Sequence, residues 1–376
     1  MKEYFLVFAV ALAVTFAVTP AVRRLAVRIG AITPVRERDV HDTPTPRLGG
    51  IAMLVGFLAA VGVGARLPHL HCIIREDLPT CASGAGGAEI RGIVVGAVIV
   101  TLVGAIDDVR ELDWVTKLAG QIIAAGAMAY FGVQLLSLPI LGVTVLPSPV
   151  LMALTVVIVI VSTNAVNFID GLDGLAAGIV AIGALAFFWY VYGLSFTYNP
   201  PNVFSTATFV SAATLGCALG FLPHNAYPAR LFMGDAGALL LGLLLAASTI
   251  TFVGNVDPSV EVGGNAQIAA YLPLVLPLAV MLVPLADMTW AIIRRVRRGQ
   301  SPWQPDAQHF QHRMLGFGHS HRASVYVLYL WAAIIAFGAV AVAYVEGPWP
   351  PILTLAAILL AVWLTRRQPR RPEEAK

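Results

Sequence analysis

The sequence predicts an all-α polytopic membrane protein with about eleven transmembrane helices. Of its 376 residues, 58% are hydrophobic and only 12% are charged, and the mean hydropathy is +0.79. A soluble domain rarely has this balance, whereas a protein surrounded by lipid requires it. Apolar runs long enough to cross a bilayer lie near residues 4–22, 48–65, 91–106, 117–132, 149–167, 174–193, 205–222, 237–254, 267–289, 323–345 and 349–365.

The distribution of positive charge predicts how these spans are oriented. With the N-terminus outside, all 24 lysines and arginines fall in inner segments except Lys2, Arg66, Arg75 and Arg91. Because loops rich in lysine and arginine stay in the cytoplasm, we predict an outer N-terminus and a cytoplasmic C-terminus. We expect one integral-membrane domain over residues 1–365 and a basic cytoplasmic tail over residues 366–376.

Two outer segments have features of their own. One loop holds Cys72 and Cys81, which form either a disulfide in an oxidising exterior or two free thiols. In the other, residues 133–149, proline and glycine punctuate short β-prone runs. This pattern predicts a small β-hairpin.

Polar side chains gather at the inner ends of the spans. The group comprises Asp107, Asp108, Asn164, Asn167, Asp170, Asp173, Asn225, Asp235 and Asp287, together with six of the eight histidines. A single aspartate at a helix end usually caps the helix or is solvated, and we interpret Asp113 in that way. Ionisable groups beside lipid are costly, however, so the full group indicates a functional site at the inner membrane surface, reached through the cytoplasmic loops.

The adjacent carboxylates of Asp107 and Asp108 indicate a cation site. Two neighbouring carboxylates do not both stay ionised cheaply unless a cation lies nearby. Oxygen ligands of this kind suit Mg²⁺ or Mn²⁺, ions that also bind substrate phosphates. Lys117, at the start of the next span, is a candidate counter-charge.

In the segment STNAVNFIDGLDGLA, polar residues recur at every third position. On an unbroken helix the first and last of them, Asn164 and Asp173, would end roughly 180° apart. Gly171 and Gly174 can break the helix. We therefore predict a helix that ends near residues 168–171, so that Asp170 and Asp173 turn back toward Asn167.

Asp235 lies between two glycines where the eighth span begins. A carboxylate is favourable at a helix start in any case, but the small glycines also let a phosphate or metal approach the backbone. Phe232 could stack on a nucleobase or simply pack at the interface.

The last large inner loop combines arginines with His309, His312, His319 and His321. Histidine and arginine with few acids suit phosphate oxygens better than zinc, although a basic loop can also bind anionic lipid.

Taken together, the inner clusters supply acidic metal ligands, basic phosphate ligands and an aromatic ring at one membrane surface. This combination indicates phosphoryl transfer between a nucleotide and a lipid.

These motifs resemble the polyprenyl-phosphate N-acetylhexosamine-1-phosphate transferases, membrane enzymes that move a phospho-sugar from a UDP-sugar to a polyprenyl phosphate and release UMP. The resemblance runs from TPTPRLGG (43–50) to GHSHR (318–322) and includes DDVRELDWVTK, NAVNFIDGLDGLA, PARLFMGDAG and HFQHRMLGFGHSHR. It implies a bacterial plasma-membrane enzyme with Mg²⁺ as cofactor, and homodimers are plausible by the same resemblance. No nucleic-acid partner is expected.

The resemblance also implies residue roles. Asp235 is expected to bind the metal with Asp107 or Asp108, the pair that would also position or deprotonate the lipid phosphate. Asn167, Asp170 and Asp173 would shape the catalytic and nucleotide pocket, and Asn225 and Phe232 would hold the uracil. His309 and His312 would recognise the diphosphate and sugar. As further candidate substrate contacts we name Asn164, Lys117, Arg47 and Arg313.

The histidine loop HFQHRMLGFGHSHR resembles the branch of the family that uses UDP-N-acetylglucosamine. The phospho-N-acetylmuramoyl-pentapeptide transferases carry adjacent histidines and a Glu-Leu element here, and they remain the alternative.

This chain departs from many relatives at Asp42, where a lysine is common; Arg38 or Arg47 could supply the charge. Gln311 also replaces a histidine found in some relatives. Reaction in one step and reaction through an aspartyl-phosphate are both open.

A secondary transporter is the rival class. Transporters place intramembrane acids near the midplane, often within inverted repeats. Here the acids lie at the inner ends and no repeat is evident, so transport is disfavoured.

Overall fold

The computed structural model describes residues 1–33, 44–75, 86–135, 138–139, 143–144, 146–198, 205–255, 282–297, 299, 320–345 and 347–366. Over these residues the chain is almost entirely helical. The helices are α1 (Lys2–Ile29), α2 (Gly49–Gly64), α3 (His71–Ile74), α4 (Gly86–Arg110), α5 (Trp114–Tyr130), α6 (Ser148–Ile169), α7 (Leu175–Tyr198), α8 (Thr206–Asn225), α9 (Gly234–Asn255), α10 (Leu282–Arg297), α11 (His321–Tyr344) and α12 (Trp349–Arg366).

The helices confirm a polytopic all-α membrane protein. Within the described ranges, eight are long and apolar enough to span a bilayer, while α2 and α5 are shorter, at 16 and 17 residues. The predicted run 267–289 lies mostly outside the described residues, and α10 begins only at its end. Eleven spans and their orientation therefore stay predictions.

Helix boundaries follow local sequence signals. Asp113 begins α5 as an N-cap, accepting hydrogen bonds from the backbone N–H groups of Val115 (3.0 Å) and Thr116 (3.1 Å), as predicted. The α6 helix ends at Ile169, within the predicted range. The span predicted over residues 91–106 ends too early, because α4 continues to Arg110 and carries Asp107 and Asp108 in its last turns.

Helix α9 lies at the centre of the bundle. It packs against α4, α6 and α8, and most of its residues are buried, because its sequence is apolar on all sides. Gly104 permits a close approach of α4, since a Cβ there would overlap the backbone of Ala236. The start of α9 is thereby held against the end of α4.

Two small antiparallel sheets lie in the loops. Strands β1 (Ile32–Thr33) and β2 (Thr45–Pro46) pair in one, and β3 (Leu138–Pro139) and β4 (Val143–Thr144) in the other. The second confirms the hairpin predicted in residues 133–149.

The cysteines differ in state. Cys72 is disulfide-bonded, Cys217 is a free buried thiol, and Cys81 lies outside the described residues.

Candidate active site

Asp108 joins the end of α4 to the start of α9. Its two carboxylate oxygens accept hydrogen bonds from the backbone N–H groups of Asp235 (2.9 Å) and Ala236 (3.2 Å), and only 7% of the residue is exposed. Gly234 has a φ of +65°, and a Cβ there would overlap the Asp108 carboxylate. A carboxylate on a neighbouring helix thus caps α9 and fixes the direction in which Asp235 projects.

Asp107 and Asp235 converge on one cation, the ammonium group of Lys117. The Lys117 Nζ lies 3.4 Å from Asp107 Oδ2 and pairs with Asp235 Oδ2. The other oxygens are fixed as well: Leu112 N donates to Asp107 Oδ1 at 2.7 Å, and Asn167 Nδ2 donates to Asp235 Oδ1 at 2.8 Å. Helices α4, α5, α6 and α9 therefore each contribute one side chain to this site.

The Oδ2 atoms of Asp107 and Asp235, which both face Lys117, are donor atoms of the kind that Mg²⁺ or Mn²⁺ prefers. Two carboxylate oxygens already face a shared positive charge, and Mg²⁺ commonly binds through one or two carboxylates together with substrate phosphates and waters. Among the described residues, no three acidic, histidine or cysteine side chains form a complete metal cage. The arrangement therefore suits a metal whose coordination is completed by substrate, with Asp107 and Asp235 as its protein ligands. Both oxygens of Asp108 bind the backbone, which favours a positioning role for that residue.

The turn between α6 and α7 carries Asp170 and Asp173. Gly174 has a φ of +80°, which lets the chain reverse after α6. Asp173 Oδ2 accepts a hydrogen bond from Ala229 N at 2.9 Å, and Asp173 N donates to His321 Nε2 at 3.1 Å. The turn is thus tied to the α8–α9 loop and to the start of α11.

His321 is a site residue to which the sequence analysis gave no individual role. Besides its bond to Asp173, its ring stacks on Tyr227 with centroids 4.5 Å apart, and its Nδ1 is buried without a hydrogen-bond partner in the described structure. Only its membership of the predicted inner group of histidines pointed to it.

Burial raises the pKa of Asp170 to about 8, and the negative charges of Asp108 and Asp173 act in the same direction. The positive charge of Arg47 opposes this shift. Asp170 therefore lies in the same electrostatic environment as the α4–α9 junction, although no hydrogen bond joins its carboxylate to that junction among the described residues.

The TPRLGG loop lies directly against the loop that leads to Asp235. Phe232 N donates to Pro46 O at 2.8 Å, and Gly49 N donates to Phe232 O at 3.0 Å. These two backbone hydrogen bonds place Arg47 near the site. Its side chain donates a hydrogen bond to Thr33. Arg47 is thus one positive charge in the loop that carries Asp42, where many relatives have lysine. Asp42 and Arg38 lie outside the described residues, so the choice between Arg38 and Arg47 stays a prediction.

Two asparagines occupy structural positions. Asn225 is 1% exposed; its Oδ1 accepts from Gly174 N and its Nδ2 donates to Leu231 O, each at 3.1 Å. Asn164 pairs with Gln121 at 2.8 Å, inside the bundle, and does not contact Asp235. The predicted uracil contacts of Asn225 and Phe232 stay predictions, and the geometry of Asn225 favours a positioning role.

The structure thus brings together part of the predicted site. Direct contacts join Asp235 to Lys117 and Asn167, and Lys117 to Asp107. Asp108 fixes the start of α9 beside them. The adjacent turn is held by Asp173 and Asn225. His309, His312 and Arg313 lie outside the described residues, and the side chain of Asp287 does too.

Comparison with known proteins defines the class. Residues 90–253 match glycosyl transferase family 4, and the chain belongs to this family. It is 40% identical over 367 residues to decaprenyl-phosphate N-acetylglucosaminephosphotransferase of Mycobacterium tuberculosis, covering 96% of this chain and 88% of that protein.

Two further relatives distinguish the branches of the family. A probable undecaprenyl-phosphate N-acetylglucosaminyl 1-phosphate transferase of Bacillus subtilis is 33% identical over 336 residues, covering 89% of this chain and 83% of that protein. A phospho-N-acetylmuramoyl-pentapeptide-transferase of M. tuberculosis is 35% identical over 289 residues, but this match covers 67% of the chain and 77% of that protein. The phospho-sugar transferase class expected from the motifs is confirmed.

Proposed function

We propose that this chain transfers N-acetylglucosamine 1-phosphate from UDP-N-acetylglucosamine to a polyprenyl phosphate and releases UMP. The observation that carries the proposal is the convergence of the Asp107 and Asp235 carboxylates on a single cation. This geometry lies in a chain that matches an N-acetylglucosamine phosphotransferase over 96% of its length.

The reaction exchanges one phosphoanhydride bond for another. An oxygen of the lipid phosphate attacks the sugar-bearing β-phosphorus, and the bond from that phosphorus to the bridging oxygen breaks, so that the electron pair leaves with UMP. Little covalent chemistry falls to the protein, whose contribution is to position the substrates and to stabilise negative charge.

The residues around the carboxylate pair have distinct tasks in this proposal. Asp107 and Asp235 would hold Mg²⁺, which when bound neutralises charge on the diphosphate. Asn167 keeps Asp235 in place, and Asp108 fixes the start of α9. Lys117, which pairs with both carboxylates here, would contact substrate phosphate through its ammonium group.

The alternative donor within the family is UDP-N-acetylmuramoyl-pentapeptide. The longer match to the N-acetylglucosamine enzymes, 96% of the chain against 67%, favours the smaller donor, as does the histidine loop. The bacterial relatives support a plasma membrane location, with the site facing the cytoplasm, where UDP-sugars are made.

UMP release tests the proposal. Detergent-solubilised protein is given polyprenyl phosphate, Mg²⁺ and either UDP-N-acetylglucosamine or UDP-N-acetylmuramoyl-pentapeptide, with Asp235→Asn as the inactive control. We expect UMP with the first donor alone and none after EDTA treatment. Release with the second donor alone would overturn the donor assignment. Absence of release with both would contradict the transferase proposal and favour transport.

A further inference from the structure

We propose that a basic cavity beside the site binds the phosphate headgroup of an anionic membrane phospholipid. The cavity, of about 580 Å³, lies between the last turns of α1 and the α8–α9 loop. Its lining includes four arginines, Arg23, Arg24, Arg28 and Arg230, together with His224. None of these residues has a part in the transfer chemistry proposed above.

The charge of the cavity is unbalanced. No acidic residue is among the described residues that line it, and no ion pair joins its arginines to another described side chain. Four guanidinium groups line one cavity, and a phosphate bound there would accept charge-assisted, bidentate hydrogen bonds from them. The carbonyl end of α1 attracts cations only weakly by comparison.

The position of the cavity indicates a lipid as the source of the phosphate. Three of its four arginines, Arg23, Arg24 and Arg28, occupy the last turns of α1. This helix is long and apolar enough to span the bilayer, which would place these arginines at the depth of lipid headgroups. Val27 and Leu231 contribute an apolar wall, and Phe16 and Leu25 on α1 are 48% and 45% exposed, where acyl chains would pass. Basic pockets at the ends of transmembrane helices commonly bind anionic headgroups.

The side of the cavity formed by His224 and Arg230 is held in place by hydrogen bonds. His224 Nε2 bonds the carbonyl oxygen of Phe16 at 3.2 Å, and its ring lies 4.9 Å from the Phe16 ring. The Arg230 N–H donates to His224 O at 2.9 Å. Because Ala229, the neighbour of Arg230, is bonded to Asp173, the cavity and the active site share one loop and one membrane face.

Lipid retention measures this site without relying on activity. Full-length protein in a neutral detergent is titrated with phosphatidylglycerol, and bound lipid is counted by native mass spectrometry. The variants are Arg23→Gln with Arg28→Gln, and separately Arg230→Gln. The matched control is Arg366→Gln, which removes an exposed arginine from the last turn of α12, outside the cavity.

We expect apparent affinity to fall about fivefold for each cavity arginine removed, and to be unchanged in the control. Lysine replacements at 23 and 28 should keep most of the binding, and if the double glutamine variant fails to fold, Arg230→Gln carries the test. Equal retention by wild type and cavity variants would overturn the proposal, as would equal retention of phosphatidylcholine. Retention of polyprenyl phosphate without phosphatidylglycerol would overturn the phospholipid assignment and make the cavity a substrate site.

Discussion

The α4–α9 junction and the α6–α7 turn each carry carboxylates of the predicted site, but their contacts differ. At the junction, Asp107 and Asp235 face a shared cation. At the turn, Asp173 bonds the backbone of the α8–α9 loop, and the pKa of the half-buried Asp170 is raised, chiefly by desolvation. A carboxylate oriented toward a cation can bind metal, whereas one that bonds the backbone positions a loop.

Replacing a carboxylate of the junction should have the largest effect. Asp235→Asn and Asp107→Asn remove charge from the cation site, and we expect kcat to fall about 10²–10³-fold. UMP release in saturating Mg²⁺ measures this loss. Near-normal turnover in both variants would show that the pair is not the metal site.

Lys117 is the cation that the two carboxylates share in the structure. Lys117→Met removes a charged phosphate contact, and we expect kcat to fall about 10- to 100-fold. Metal affinity should be equal or higher, because the ammonium no longer competes for Asp107 and Asp235. Steady-state kinetics with an Mg²⁺ titration measure both quantities. A weaker Mg²⁺ affinity in Lys117→Met would contradict competition between this ammonium and the metal for the two carboxylates.

Asp107 and Asp108 are adjacent in sequence and should differ in their contribution to stability. Asp108→Ala leaves the first N–H groups of α9 without their acceptor, so we expect a loss of about 1–2 kcal/mol in the free energy of unfolding. Asp107→Ala should lower activity with a much smaller effect on stability. Thermal unfolding of the two variants in the same detergent makes the comparison, and equal midpoints would contradict the capping role.

Asn164 should show the smallest effect. Its side chain pairs with Gln121 within the bundle, and such hydrogen bonds between membrane helices average about 0.6 kcal/mol. Asn164→Ala should therefore lower stability slightly and leave kcat within about twofold. Asn167→Ala, one turn away, is the matched comparison, since Asn167 fixes Asp235 and its loss should lower kcat markedly. Equal activity losses in the two variants would show that the two asparagines are not distinguished in this way.

The features that the sequence predicted correctly depend on local signals. Gly171 and Gly174 indicated where α6 ends, and the position of Asp113 at a helix end indicated a capping or solvated side chain, of which the structure shows the cap. The role of Asp108 was not predictable, because its partners Asp235 and Ala236 lie more than a hundred residues away. The hydrogen bonds of His321 to Asp173 and of Asn164 to Gln121 likewise depend on packing between segments that are distant in sequence. The spacing of polar and apolar residues along the chain does not predict such contacts.

We propose that Asp107 and Asp235, and not the carboxylates of the α6–α7 turn, hold the metal. Mn²⁺ binding, followed by electron paramagnetic resonance in wild type, Asp107→Asn, Asp235→Asn and Asp170→Asn, tests it most directly. We expect Mn²⁺ binding to be strongly weakened in both junction variants and retained in Asp170→Asn. Retained binding in Asp235→Asn, or loss confined to Asp170→Asn, would contradict it.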